Sequence, residues 1–413
     1  MTDRYEDVAR HWVSAPGGSC DVRYGTDVVE TMGKILASNV GRPRLCAYVV
    51  GEGTDAELEE RIRRQLTDGG FQVVRMEAPA GAAARTMGEV TRALEGFANA
   101  GITCDDLVLG VGDVDTLSML AHATAMWCGR VPLACVVRDL DGMVEVATTP
   151  RDLDVAGVTR IAGVSAYVKY LLCDPGVMNL AADAETSRLG RALMVASAVA
   201  ENEDTVEALW NKADAVMAGD PADVLDAAID ALKSRGHLVS STSVSIRNSL
   251  AYGQTFARAL EAVAGANVPA STFLAEGMRF SARLACSLEL LDVDDVLMQD
   301  ELLDTFDLGE FSGNVDPKAL ADAMKRDRFA RSNRFHLCLP HGIGRLRMTV
   351  VEDDVLMDNI SAWCDAHAPL RSSIGRARGR EEPRARTEGQ QEKEAYPWQM
   401  PRHAPDASRV FER

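Results

Sequence analysis

Asp106-Leu-Val-Leu-Gly-Val-Gly-Asp-Val-Asp-Thr-Leu117 passes from a short apolar run through two glycines into a longer apolar stretch over 117–127. A run of that length suits a buried strand, and the stretch after it suits a helix packed on that strand. The same alternation surrounds it. Leu45-Cys-Ala-Tyr-Val-Val50 precedes a charged helical pattern that starts near Thr54, and Phe71-Gln-Val-Val-Arg-Met76 precedes another after Pro79-Ala-Gly81. Leu133-Ala-Cys-Val-Val137 then closes the series. Strands and helices in this order over about 20–165 predict a parallel sheet covered by helices, open to a ligand at its carboxyl edge.

After about residue 175 the period becomes helical, with successive helices expected over 182–217, 221–235, 249–263 and 271–290. Two β-type runs, Phe335-His-Leu-Cys-Leu339 and Arg345-Leu-Arg-Met-Thr-Val350, flank Gly342-Ile-Gly344 and predict a small hairpin. Beyond Ala368 the chain is polar, arginine-rich over 371–386 and broken by prolines. Such a segment buries too little apolar area to offset its ordering entropy, so a disordered tail is expected. The expected organisation is an N-terminal α/β, dinucleotide-binding-like domain over 1–167, an α-helical C-terminal domain with a small hairpin over 168–368, and a tail over 369–413.

With 413 residues, 46% of them hydrophobic and 26% charged, the chain is long enough for two ordinary cores. A formal net charge of −18 repels phosphate backbones and argues against a general nucleic-acid binder, though a local cationic pocket for a small anion remains compatible with it. The nine cysteines are scattered without a C-x-x-C pair, as expected of reduced structural thiols. No apolar run reaches the length of a membrane span and the first residues lack a secretory pattern, so a cytoplasmic location and no membrane partner are expected.

The stretch Arg247-Asn-Ser-Leu-Ala-Tyr-Gly-Gln-Thr-Phe-Ala-Arg-Ala-Leu-Glu261 resembles the metal-binding helix of 3-dehydroquinate synthases, which reads approximately R-x-x-L-N-x-G-H-T-F-G-H-A-x-E. Further landmarks follow in the family's order. They are Pro79-Ala-Gly-Ala82, the strand-to-helix turn over 107–124, Val168-Lys-Tyr-Leu-Leu-Cys-Asp-Pro175, Ala213-Asp-Ala-Val-Met-Ala-Gly-Asp220, Ala275-Glu-Gly-Met278 and His341-Gly-Ile-Gly344. The resemblance spans roughly residues 21–363. It implies the synthase fold, NAD at the N-terminal sheet, a divalent metal in the cleft, and a reaction that eliminates phosphate from a seven-carbon sugar acid and closes a carbocycle in the shikimate route to aromatic amino acids.

The same resemblance implies that the chemistry has changed. Arg191 falls at the family's metal-binding glutamate, Gln254 and Ala270 fall at its two metal-binding histidines, and Arg258 falls at a catalytic histidine. Zinc needs lone-pair ligands from protein, so zinc is expected to be absent. His336, Cys338 and His341 read as packing and turn residues rather than a relocated site. Gly110 and Gly112 are candidates for close approach to a dinucleotide phosphate, and Glu52 for a ribose hydroxyl. Val111, Asp113 and Asp115 weaken that NAD site by bulk and negative charge.

Arg151 and Arg235 stand near family lysines, Met194 and Ala251 replace a lysine and an asparagine, and Arg247 keeps the family's arginine. If Arg191, Arg235, Arg247 and Arg258 face one cleft, with Arg151 beside it, they would form a metal-free pocket for a small sugar-phosphate-like anion. The competing reading is four solvated helix-face arginines. At the level of function, a synthase-like protein without the zinc reaction is expected. The alternatives are a non-catalytic homodimer or heterodimer partner of an active paralogue, and a divergent NAD-dependent sugar-phosphate enzyme of the wider cyclase and iron-type alcohol dehydrogenase group.

Overall fold

A computed structural model describes residues 8–15, 17–40, 44–148, 151–164, 168–265 and 267–369. Its first layer runs β1 (Val8–Ala15), β2 (Gly18–Gly25), α1 (Val28–Val40), β3 (Leu45–Gly51), α2 (Ala56–Asp68), β4 (Gln72–Ala78), α3 (Met87–Ala100), β5 (Leu107–Gly112), α4 (Val114–Met126), β6 (Leu133–Val137) and α5 (Leu140–Glu145). A separate antiparallel hairpin, β7 (Arg151–Val155) with β8 (Val158–Val164), precedes β9 (Tyr170–Cys173). The sheet order is β1-β2-β9-β6-β5-β3-β4, parallel throughout except for the antiparallel β1.

Every residue of β3, β5, β6 and β9 is buried, as required of parallel strands covered on both faces. Met32 and Leu36 of α1 and Ile62 and Leu66 of α2 cover one face. Phe97 of α3 and Leu117 and Leu120 of α4 cover the other. The expected doubly covered sheet is therefore present. It extends past residue 167, where the first domain was expected to end, because β9 bonds to both β2 and β6.

The second layer is helical: α6 (Glu185–Glu201), α7 (Glu203–Ala218), α8 (Pro221–Ser240), α9 (Val244–Arg247), α10 (Gln254–Ala264), α11 (Ala270–Ser287), α12 (Val293–Thr305) and α13 (Pro317–Arg331). The hairpin β10 (His336–Pro340) with β11 (Leu346–Val350) and the helix α14 (Asp353–His367) follow. The single helix expected over 182–217 is two. Asn202 leaves helical geometry and accepts the Thr205 N–H at 2.9 Å, so it starts α7 instead of continuing α6. The helix expected from residue 249 begins only at Gln254, after Gly253 at φ +72°. The tail expected to be disordered lies outside the described residues from 370 onward. Among the described residues no helix is long and apolar enough to cross a membrane.

The helices α10 and α11 cross at two glycines: a Cβ on Gly277 would collide with the Gly253 carbonyl. Phe256, Phe280, Phe311 and Trp363 stack behind this crossing. Glu276 is wholly buried among them. Its carboxylate accepts the Trp363 indole N–H at 2.8 Å and the Phe311 backbone N–H at 3.0 Å, and lies 3.3 Å from His367 Nε2. Burial pushes Glu276 up, but the hydrogen bond and charge of His367, with the Phe311 N–H and Arg279, carry it net below 4.5. Burial pushes His367 down, but Glu276 carries it net above 6.5.

Two outcomes are expected. Gly277→Ala should destabilise the fold by about 1–3 kcal/mol in chemical denaturation, because the helix crossing has no room for a methyl group. The Glu276–His367 pair loses its carboxylate charge as pH falls below the glutamate's ordinary 4.5 and through its lowered folded value, and its imidazolium as pH rises above the histidine's ordinary 6.5 and through its raised one. Its stabilisation is therefore largest between those values. The melting-temperature gap between the native protein and His367→Ala should shrink from pH 6 to pH 8; a constant gap would assign His367 a packing role alone.

Candidate functional site

The carboxyl edge of the sheet is where a dinucleotide would approach, and the glycines there have packing duties. A side chain on Gly110 would strike Leu117 and Leu120 of α4, and one on Gly112 would meet Thr116 Cβ at 3.0 Å. Both positions let α4 lie close on β5. The first turn of α4, the usual cradle for a phosphate, is occupied by the chain itself. Asp113 accepts the Thr116 N–H at 2.8 Å and the Gly81 N–H at 2.7 Å. Glu52 is exposed, and its backbone N–H donates to the Ala78 carbonyl.

Arg191, Arg235, Arg247 and Arg258, expected to share one pocket, each have a partner within the protein. Arg191 is buried, donating to the carbonyls of Phe306 at 3.0 Å and Ala182 at 2.9 Å, and its pKa is lowered by burial. Arg235 is buried on α8 with Nε 3.3 Å from Thr148 Oγ1, and burial lowers its pKa too. Arg247 is exposed and folds back to the carbonyls of Ser241 at 2.6 Å and Thr242 at 3.2 Å. Arg258 makes a bidentate pair with Asp327 of α13, at 2.8 and 2.9 Å. The backbone of Arg151 lies in β7, and its side chain is outside the described residues. Each of the other four meets a carbonyl, hydroxyl or carboxylate of the protein, so each guanidinium already serves a structural contact.

Five residues that carry no motif signal in the sequence, Asp327, Arg331, Arg160, Arg85 and Asp154, join the layers. Asp327 also holds Arg331, whose guanidinium donates to the carbonyls of Arg160 at 3.0 Å and Thr159 at 2.6 Å on β8. The Arg160 side chain continues to Asp115 at 2.7 Å, and Asp115 pairs with Arg85 at 2.7 Å, which reaches Asp154 at 3.1 Å. A relay of ion pairs and carbonyls thus runs from α10 to the start of α4. Its only local trace in the sequence is the i,i+4 spacing of Asp327 and Arg331.

Two further carboxyls were missed. Glu185 accepts the Ser271 N–H at 2.7 Å and hydroxyl at 2.8 Å, capping α11 beside Ala270. Asp141 of α5 is pushed up to about 8 by burial, then by Asp139 and Glu145, so it keeps its proton at neutral pH. Replacing Asp327 with asparagine should release both guanidiniums. Hydrogen exchange should then quicken along β8 while β3 and β5 stay protected; unchanged exchange at β8 would show that the hairpin is held by other contacts.

A metal fits these positions poorly. Arginine and alanine offer no lone pair, the Gln254 side-chain oxygen faces Arg258 at 3.5 Å, and a guanidinium fixed at residue 191 repels a dication. Among the described residues no three His, Cys, Asp or Glu side chains are grouped to hold an ion.

The sequence profile described as 3-dehydroquinate synthase C-terminal matches residues 190–329. The 3-dehydroquinate synthase of Dehalococcoides mccartyi strain CBDB1 is 24% identical over 304 residues, covering 72% of this chain and 84% of its own. The crystal structure of 2-deoxy-scyllo-inosose synthase complexed with carbaglucose-6-phosphate, NAD+ and Co2+ superposes with a TM-score of 0.75 at 15% identity, over 85% of this chain and 99% of that one. The 2-epi-5-epi-valiolone synthase of Streptomyces hygroscopicus subsp. jinggangensis 5008, with NAD+ and Zn2+ bound, gives 0.71 at 16% identity over 84% and 97%. The order of elements, the profile match over the helical layer and these relatives together make the chain similar to the 3-dehydroquinate synthases in sequence and in fold.

Proposed function

We propose that this chain is a family member that has left the zinc-dependent cyclase reaction and works as a binding or regulatory protein, as a homodimer or beside an active paralogue. The observation that carries the reading is the state of the three metal positions. Arg191 is consumed by two backbone carbonyls, Gln254 faces Arg258, and Ala270 has only a methyl group. Restoring a site would require removing a buried cation as well as adding ligands. Arg258, at the position of a catalytic histidine, is held by Asp327 in a bidentate pair.

The NAD-using reading is weaker on the same physical grounds. A pyrophosphate at the start of α4 would have to displace the Asp113 carboxylate from the Gly81 and Thr116 amides and then lie beside Asp115. Relatives whose structures contain NAD keep the divergent-enzyme alternative in play. For association, β1 is an edge strand of the sheet and carries Trp12 at 59% exposure, the kind of surface that a second chain covers.

Elemental analysis of the purified protein, combined with a phosphate-release assay on the seven-carbon heptulosonate phosphate with added zinc and NAD, tests the proposal. Zinc well below one per chain and no phosphate release are expected. One zinc per chain with release at a synthase-like rate would end it. Quenching of NADH fluorescence by the protein, without phosphate release, would instead favour a divergent NAD-dependent enzyme.

A further inference from the structure

We propose that the cavity between the ends of α6 and α8, helix α9 and the β10–β11 turn binds a phosphate monoester of a small polyhydroxylated molecule. The cavity has a volume of about 740 Å³, enough for a sugar phosphate. It is lined at the C-terminal end of α6 by Ala200 and Glu201, well past Arg191 along the helix, and the proposal does not depend on metal or NAD.

The turn that builds it is specific. Gly344 has φ +74° and donates its N–H to the Val199 carbonyl at 2.9 Å, while a Cβ there would come within 2.8 Å of the Glu201 carbonyl oxygen. Only glycine lets the turn seat against the end of α6 in this way. The seating delivers Arg345 and Arg347, which flank buried Leu346, to the cavity wall. Both guanidiniums are exposed, and neither is tied by a hydrogen bond or ion pair to another described residue. In a chain with a net charge of −18, two guanidiniums that lack a partner among the described residues and line one concavity are a local anion receptor.

The rest of the lining suits the body of such a ligand. Ser241, Ser243, Ser245 and Ser249 present hydroxyls that can donate and accept. Arg247, the arginine expected to meet a substrate in the cleft, instead clips the Ser241 and Thr242 carbonyls and so fixes the serine-bearing wall. Glu201 is the one carboxylate of the lining, and His237 Nδ1 sits 3.0 Å from it. Beside that histidine, the Glu201 carboxylate is an acceptor for sugar hydroxyls. Two guanidiniums for a phosphate and hydroxyl partners for a polyol favour a phosphate monoester over a plain carboxylate or an apolar guest.

Calorimetric titration of the full chain with glucose 6-phosphate, inorganic phosphate and glucose tests this assignment. Glucose 6-phosphate should bind more tightly than inorganic phosphate, and glucose should give no heat. Arg345→Ala and Arg347→Ala should each weaken glucose 6-phosphate by about tenfold, and the double variant should abolish it. Arg63→Ala, an exposed arginine on α2, controls for lost net charge and should bind normally. The substituted side chains are at the surface, so the melting temperature should hold. Undiminished binding by the double variant, equal heats from glucose and its phosphate, or no heat from either phosphate at millimolar concentration would each overturn the proposal.

Discussion

Asp327 holds two arginines from different parts of the chain, and the closed relation of the layers follows from it. The carboxylate is mostly buried, which by itself would favour protonation, yet Arg258 and Arg331 keep its pKa below the ordinary value. An ionised, half-enclosed carboxylate costs less to keep than to separate from its partners, because removing either one leaves a poorly solvated charge. Arg331 then spends its remaining donors on β8 carbonyls, so the helical layer grips the β7–β8 hairpin. Through Arg160 and Asp115 the grip reaches the first turn of α4.

The glycine turn follows the same logic. A helix N-terminus carries unsatisfied amides and a partial positive charge, and an exogenous phosphate is one way to satisfy them. Asp113 supplies a carboxylate from the N-cap position and also ties down the Gly81 loop. A tethered anion acts at high effective concentration, so a free one must compete against it. Gly110 and Gly112 remain glycine because α4 packs tightly on β5, a requirement that outlasts any ligand.

Much of the fold was legible because its signals are local. The apolar runs of β3, β5 and β6, the helical period after residue 175 and the hairpin around Gly342-Ile-Gly344 all declare themselves within a few residues. What failed depends on distant partners. Strand β1 mixes Arg10, His11 and Trp12 with apolar residues, and its pairing with β2 and packing under α8 are not visible in its own pattern. The arginines share the limitation more sharply. Arg191 meets a carbonyl 115 positions away, and Arg258 meets a carboxylate 69 positions away. Position within a helix can be aligned from sequence, but the destination of a long, multi-donor side chain is decided by whichever acceptor the tertiary fold brings within reach.

Arg247 shows how a residue can keep its identity and change its role. Its stretch carries the family resemblance, yet its guanidinium caps the end of α8 through two carbonyls. Each arginine assigned internally in this way removes one potential ligand contact, since a donor already bonded to protein gains little by exchanging partners. Recognition of an anion is then cheapest where guanidiniums face water without a protein acceptor. Among the described residues Arg345 and Arg347 meet that condition beside the hydroxyl-bearing wall of one cavity.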